Sequence, residues 1–236
     1  MGFSKFIVFV IVVVFFQHSH GQRHEVGLLL GSTNYIGEVG ETTFINPSFK
    51  APSATLLYRS NFSPRFALRT ELGVSRIRGV DTLSSEPLRQ ERANSFTNTL
   101  LHASTILEVN YFNIDQSGFD FSWAPYMFVG LSFLGYQDLY YPTNTTIAYN
   151  QTRDFAFAIP VGVGVKTRLG TNFLIGVEVK ALYTFSDNLD GSFPTFVNEI
   201  DQRPAFGNRL SNDWVIYSGL LMTYSFGRGW FIRGLL

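Results

Sequence analysis

The chain has 236 residues, 18 basic and 18 acidic side chains, no cysteine, 45% apolar residues and 16% aromatic residues. This composition supports one packed, barrel-sized unit and excludes disorder, while the balanced charge gives no general attraction for nucleic acid. Without cysteine there is no disulfide framework, thiolate metal centre or Cys nucleophile, so only oxygen and nitrogen chemistry remains.

Lys5 precedes an unbroken apolar run of 11 residues, Phe6 to Phe16, followed by Gln17-His18-Ser19-His20-Gly21 with small residues at 19 and 21. The pattern reads as a signal peptide over residues 1–21, cleaved after Gly21. A spanning helix needs ~20 apolar residues, so the run is too short for one. Cleavage removes Lys5 and no acid, leaving 17 basic and 18 acidic groups.

Residues 22–228 then read as a single barrel. Segments rich in β-branched and aromatic residues recur between clusters of Gly, Pro, Asn, Asp and Ser. Eight strands follow in chain order: His24 to Gly37, Ser53 to Phe62, Phe66 to Asp81, Leu101 to Phe112, Trp123 to Gln137, Phe155 to Leu169, Asn172 to Asp187 and Asp213 to Gly227. The connections alternate. Ser63-Pro64-Arg65, Asn113 to Ser122 and Gly170-Thr171 are short or moderate, whereas 38–52, 82–100, 138–154 and 188–212 are long. In an antiparallel meander this alternation puts every long loop on one rim. The expected fold is therefore all-β: an eight-stranded antiparallel up-and-down transmembrane β-barrel with short periplasmic turns and long extracellular loops in a bacterial outer membrane, its outside bathed by lipid.

Alternation assigns the faces. In the seventh strand Phe173, Ile175, Val177, Val179, Ala181, Tyr183 and Phe185 oppose Leu174, Gly176, Glu178, Lys180, Leu182, Thr184 and Ser186. The sixth repeats this, with a second face reduced almost to Ala, Pro and Gly. Aromatics near both ends of the apolar faces, such as Phe173 with Tyr183 and Trp214 with Tyr224, match two interfacial girdles and favour lipid outside over a soluble, lipocalin-like barrel. The polar faces collect Glu25, Arg59, Arg69, Glu71, Glu108, Lys166, Glu178 and Lys180. This near-balanced set is expected to pair within a lumen too narrow for a water-filled pore.

Candidate chemistry is sparse. After cleavage only His24 and His102 remain, so no metal centre and no cofactor are expected. His102 and Ser104 point to one side of the fourth strand near the long-loop rim, where a His could serve Ser as general base. The pair resembles the His-x-Ser of outer-membrane lipid A deacylases, but Thr105 stands where that family has Asn, and the bland reading is a rim histidine beside a lumen serine. Three sequons at Asn61, Asn144 and Asn150 read as chance matches.

Three stretches carry a wider resemblance: Glu25 to Gly37, Tyr58 to Arg69 and Asp213 to Gly227. The Tyr58 to Arg69 hairpin is the most distinctive, with Asn61 and Ser63-Pro64 in the turn and Arg59 and Arg69 flanking it. Together they resemble the DUF6089 family, which includes PorG-like outer-membrane proteins of the type IX secretion system in Bacteroidota. The resemblance implies a non-enzymatic barrel that anchors, or forms part of, that apparatus and contacts a periplasmic lipoprotein ring. The candidate contact surface is the short-turn rim, with Pro64 and Arg65, and the tail 229–236, with Trp230 and Phe231. That tail reads either as an apolar docking segment or as an interfacial anchor. The alternatives are a lipid A-modifying hydrolase and a general OmpA-like or OmpW-like barrel.

Overall fold

A computed structural model describes residues 23–41, 43, 50–112, 123–194, 202–208 and 211–227. Eight antiparallel strands pair in sequence order, and the last closes on the first. They are β1 Arg23–Ile36, β2 Ala51–Asn61, β3 Phe66–Val80, β4 Ser95–Asn110, β5 Trp123–Tyr140, β6 Tyr149–Leu169, β7 Phe173–Thr184 and β8 Trp214–Phe226. A 3-10 turn, Asp81–Leu83, and a short helix α1, Pro87–Arg92, follow β3. The expected signal peptide 1–21, the connection 113–122 and the tail 229–236 with Trp230 and Phe231 lie outside the described residues.

The fold is the expected up-and-down barrel, with three differences at the long-loop end. β4 begins at Ser95 rather than Leu101, β5 runs on to Tyr140, and β6 starts at Tyr149. Tyr149 to Arg153 is polar and exposed, so the stretch lacks one-sided alternation, yet it pairs with β5 as far as Tyr140↔Tyr149 across a bulge at Asp138/Leu139. Backbone pairing alone sustains this part of the ladder. The β5–β6 connection consequently shrinks to 141–148, shorter than the 111–122 segment at the opposite end. Connection lengths therefore do not alternate strictly, and the asymmetry there is carried by a protruding hairpin.

The faces settle the solvent. Along β7 Phe173, Val177 and Val179 are exposed, while Leu174, Glu178, Lys180, Leu182 and Thr184 are buried. Cross-strand neighbours extend the outer row, since Val177 pairs with Val165 of β6 and Leu220 of β8. Leu72, Leu131, Phe157 and Val163 are all at least 60% exposed and lie on the same outer surface. A continuous band of this kind far exceeds what water tolerates on a monomer. Its solvent is hydrocarbon, and the barrel spans a membrane.

Aromatic rings border the band at both ends. Near the short turns Phe62 stacks on Phe66 and Phe173 meets Tyr224, and near the long loops Tyr183 packs against Phe185 and Trp214 while Phe133 contacts Phe155 and Phe157. Phe173 and Tyr183 open and nearly close β7. Their separation is about 33 Å along the strand and about 24 Å along the membrane normal at the usual tilt, the height of a barrel's apolar band.

Leu220→Arg should therefore destabilise the barrel by about 2–4 kcal/mol, as expected for a cation near the bilayer midplane. Equilibrium unfolding in phospholipid vesicles measures it, and an unchanged midpoint would refute the lipid-facing assignment.

Candidate functional site

The structure gathers all eight expected lumen charges inside the barrel, each no more than 3% exposed. Glu25 comes from β1, Arg59 from β2, Arg69 and Glu71 from β3, Glu108 from β4, Lys166 from β6, and Glu178 and Lys180 from β7. The four acids and four bases form one network. Arg59 donates through Nε to Glu108 Oε2 at 3.0 Å and through Nη1 to Glu25 Oε2. Arg69 grips Glu178 with two bonds, Nη1 to Oε2 at 2.7 Å and Nη2 to Oε1 at 3.1 Å, and its Nη2 lies 2.9 Å from Glu71 Oε1. Lys180 Nζ donates to Glu71 Oε2 at 2.7 Å, and Lys166 Nζ donates to Glu108 Oε1.

The remaining strands complete it. Tyr126 of β5 donates to Glu178 Oε2 at 2.8 Å, and Thr223 of β8 donates to Glu25 Oε2 at 3.0 Å. Phe128 lies 4.6 Å beneath the Arg69 guanidinium, and the ring of Tyr126 lies 4.8 Å from Lys166 Nζ. Those rings need room that only glycine gives. A Cβ on Gly162 would stand 2.3 Å from the Phe128 ring, and one on Gly164 would stand 2.4 Å from the Tyr126 ring. The bare inner face of β6 is thus the seat for two aromatic side chains that sequence reasoning did not connect to it. Leu29, Leu57, Ile106 and Leu221 pack with these rings, and a larger apolar cluster that includes Leu100, Leu134, Leu182 and Tyr217 fills the lumen toward the long loops.

His102 and Ser104 bond to different partners and not to each other. Because β4 starts six residues earlier than expected, His102 sits mid-strand opposite Gly73 and Leu134, not at the long-loop rim. Its Nε2 faces Thr55 Oγ1 at 3.5 Å, and its ring meets Tyr217 edge-on. Ser104 Oγ donates to Ser132 Oγ at 2.9 Å. The imidazole therefore does not hold the hydroxyl that it would have to activate.

At the short-turn rim Pro64 and Arg65 are exposed. Ser63 Oγ accepts bonds from the backbone N–H groups of Arg65 and Phe66, at 3.2 and 2.9 Å, so a serine-capped turn presents them. The opposite mouth is plugged. Leu189 and Val39 are fully buried there. Asn98 donates to Leu189 O at 2.8 Å, Val39 N donates to Asp190 Oδ2 at 3.0 Å, and Leu189 N donates to Asp213 Oδ2 at 2.9 Å. Arg89 and Arg92 of α1 donate to the carbonyls of Gly37, Gly40 and Glu38, and Arg92 pairs with Asp81 at 2.7 Å. Glu38, Asp187 and Asp213 bring carboxylate oxygens within 4.8 Å of one another in this plug. Sequence reasoning passed over these acids, because a polar, glycine-containing stretch signals only a turn.

Residues 4–231 match the family described as Domain of unknown function (DUF6089). The chain belongs to this family. Comparison with curated proteins gives no match. Among solved structures, the chain is similar to the attachment invasion locus protein Ail of Yersinia pestis, solved with the heparin analogue sucrose octasulfate: 10% identity, TM-score 0.47, covering 87% of this chain and 99% of that one. The N-terminal β-barrel domain of Pseudomonas aeruginosa OprF shows 11% identity and a TM-score of 0.44 over 87% and 98% of the two chains. A major outer membrane protein of Thermus thermophilus shows 14% identity and a TM-score of 0.43 over 88% and 100%.

Removing one partner from a buried ionic network leaves the others uncompensated. In this DUF6089 barrel Arg69→Met should cost about 3–5 kcal/mol, whereas Arg65→Met at the exposed turn should stay within about 0.5 kcal/mol. Urea unfolding of both variants in vesicles measures the difference.

Proposed function

We propose that the protein is a non-enzymatic barrel of the bacterial outer membrane that anchors, or forms part of, a type IX secretion system and contacts a periplasmic lipoprotein ring through its short-turn rim. The observation that carries this reading is the packed lumen. Arg59, Arg69, Lys166 and Lys180 are committed to four glutamates, and the outer mouth is stoppered by its own loops. A barrel filled in this way is built to be held in a membrane and to be held onto, and its rims are the surfaces left for partners. The resemblance of Glu25 to Gly37, Tyr58 to Arg69 and Asp213 to Gly227 to PorG-like members of the family supplies the machine. The separate bonding of His102 and Ser104 supports a non-enzymatic role.

Outer-membrane lipids cover the apolar band, and the periplasmic partner meets Pro64, Arg65 and the neighbouring turns. A deletion strain should lose secreted cargo, and the protein purified in mild detergent should carry a ring lipoprotein with it. Arg65→Glu should reduce that co-purification while leaving barrel insertion intact. Normal export from the deletion strain would refute the secretion role, and an altered lipid A acyl count by mass spectrometry would favour the hydrolase instead.

A further inference from the structure

The apolar outer wall carries exposed cations along one stretch of its long-loop edge. Every glutamate of the described strands is buried in the lumen, whereas Arg76 and Arg78 of β3 and Arg153 of β6 are exposed. Arg76 shares its outward face with Leu72 and Val74, and Arg153 shares its own with Phe155 and Phe157. These arginines therefore stand on the surface that meets lipid.

Their height follows from the strands. Phe66, in the ring border near the short turns, and Arg76 are ten residues apart on β3, the same interval that separates Phe173 from Tyr183 on β7. Arg76 thus occupies the level of the upper ring border, where Tyr183 packs on Trp214. Thr99 of β4 pairs with Arg76, and Thr97 with Arg78, so hydroxyls and guanidinium groups take the place of aromatic rings in this part of the border. Side chains at that level lie among lipid headgroups.

The wall beneath them is grooved. A cleft of about 640 Å³ opens outward between β3 and β6, with Leu72, Leu101, Phe133 and Phe155 along its apolar part and Thr99 and Arg153 at its polar end. Gly135, paired with Leu101 and Phe155, leaves the outer face bare there, and a Cβ on it would stand 3.2 Å from the Phe155 ring. Arg76 stands beside Thr99 on the β3 side and Arg153 closes the β6 side, three strand spacings or about 14 Å apart. Among the described residues, the carboxylate lining the cleft is that of Asp154, which accepts bonds from the Tyr136 hydroxyl at 3.3 Å and from the Phe155 N–H at 2.8 Å.

We propose that this stretch of wall binds a lipid A molecule of the outer leaflet, its phosphorylated sugar headgroup held between Arg76 and Arg153 and one acyl chain laid in the cleft below. Charge complementarity selects the occupant. Guanidinium groups pair with phosphate through charge-assisted, often bidentate hydrogen bonds, and Thr99 adds a neutral donor. A phosphate without acyl chains would leave the cleft unused, and a headgroup narrower than a disaccharide would leave one arginine unused. The long loops face outward from the cell, so the leaflet at this edge is the one built of lipopolysaccharide. The inference rests on the orientation of the barrel in the outer membrane and is independent of the secretion reading.

Native mass spectrometry of the full-length barrel in mild detergent, with purified lipids added, reads the binding. The protein should retain phosphorylated lipid A, and it should retain dephosphorylated lipid A and phosphatidylglycerol at least about fivefold less. Arg76→Gln and Arg153→Gln should each lower retention of phosphorylated lipid A about fivefold, the worth of one basic residue at an anionic surface, whereas Arg65→Gln at the opposite rim should leave it unchanged. Inorganic phosphate should not displace the lipid. Folding of each variant is checked by its heat-dependent shift on SDS gels. Equal retention of dephosphorylated lipid A or of phosphatidylglycerol, displacement by inorganic phosphate, or folded variants that hold the lipid like the wild type would each overturn the assignment. The wild-type comparison among lipids decides the matter even where a variant does not fold.

Discussion

A charge cannot face hydrocarbon unpaired, and in this protein eight ionic side chains share a segment of the chain that must cross it. The only arrangement that satisfies all of them turns them toward the barrel axis and matches each base with an acid. Carrying four acids and four bases out of water costs several kcal/mol per ion, so the network is better understood as a requirement for one particular closure than as a source of stability. Several of its ties run between strands that are not neighbours. Arg69 and Glu71 of β3 reach Glu178 and Lys180 of β7, and Arg59 of β2 and Lys166 of β6 meet at Glu108 of β4. Backbone ladders fix adjacent strands, whereas these bonds fix the cross-section.

The same constraint sets the register. A slip of one residue in β7 would turn Glu178 and Lys180 into the lipid and Val177 and Val179 into the lumen. Arg69 would then lose the carboxylate it grips with two bonds, and Glu71 would lose its lysine. Register, closure and solvent are consequently one decision, taken by a few charged residues at period two. The glycines of β6 belong to that decision as well, since the space above Gly162 and Gly164 admits the rings that pack against Arg69 and Lys166.

This logic explains what could be read from the sequence. Strict alternation exposes the lumen charges of β7 and the outer row of valines and phenylalanines, because lipid and lumen differ sharply and each residue meets only one of them. Where both faces meet water the contrast vanishes. Tyr149 to Arg153 therefore reads as loop although it continues the β6 ladder, whereas the early start of β4 at Ser95, which moves His102 to mid-barrel, is hidden because its outward residues Ser95, Thr97 and Thr99 are polar and Asn98 interrupts the buried row of Phe96 and Leu100. The plug was illegible for a different reason. Glu38, Asp190 and Asp213 meet through loops distant in sequence, and no periodicity announces contacts between loops.

The two ends of the barrel are consequently built on opposite principles. At the short-turn end the chain reverses within a few residues, and local bonds such as those of Ser63 to Arg65 and Phe66 hold the turn, leaving its side chains free to meet other surfaces. At the long-loop end the chain folds inward, buries Leu189 and Val39, and spends its arginines on its own backbone. That same folding brings carboxylate oxygens of Glu38, Asp187 and Asp213 within 4.8 Å of one another. The long-loop mouth is thus given over to closing the barrel, and the short-turn rim to presenting exposed side chains. That division of labour follows from where the chain spends its charges and not from the barrel architecture itself.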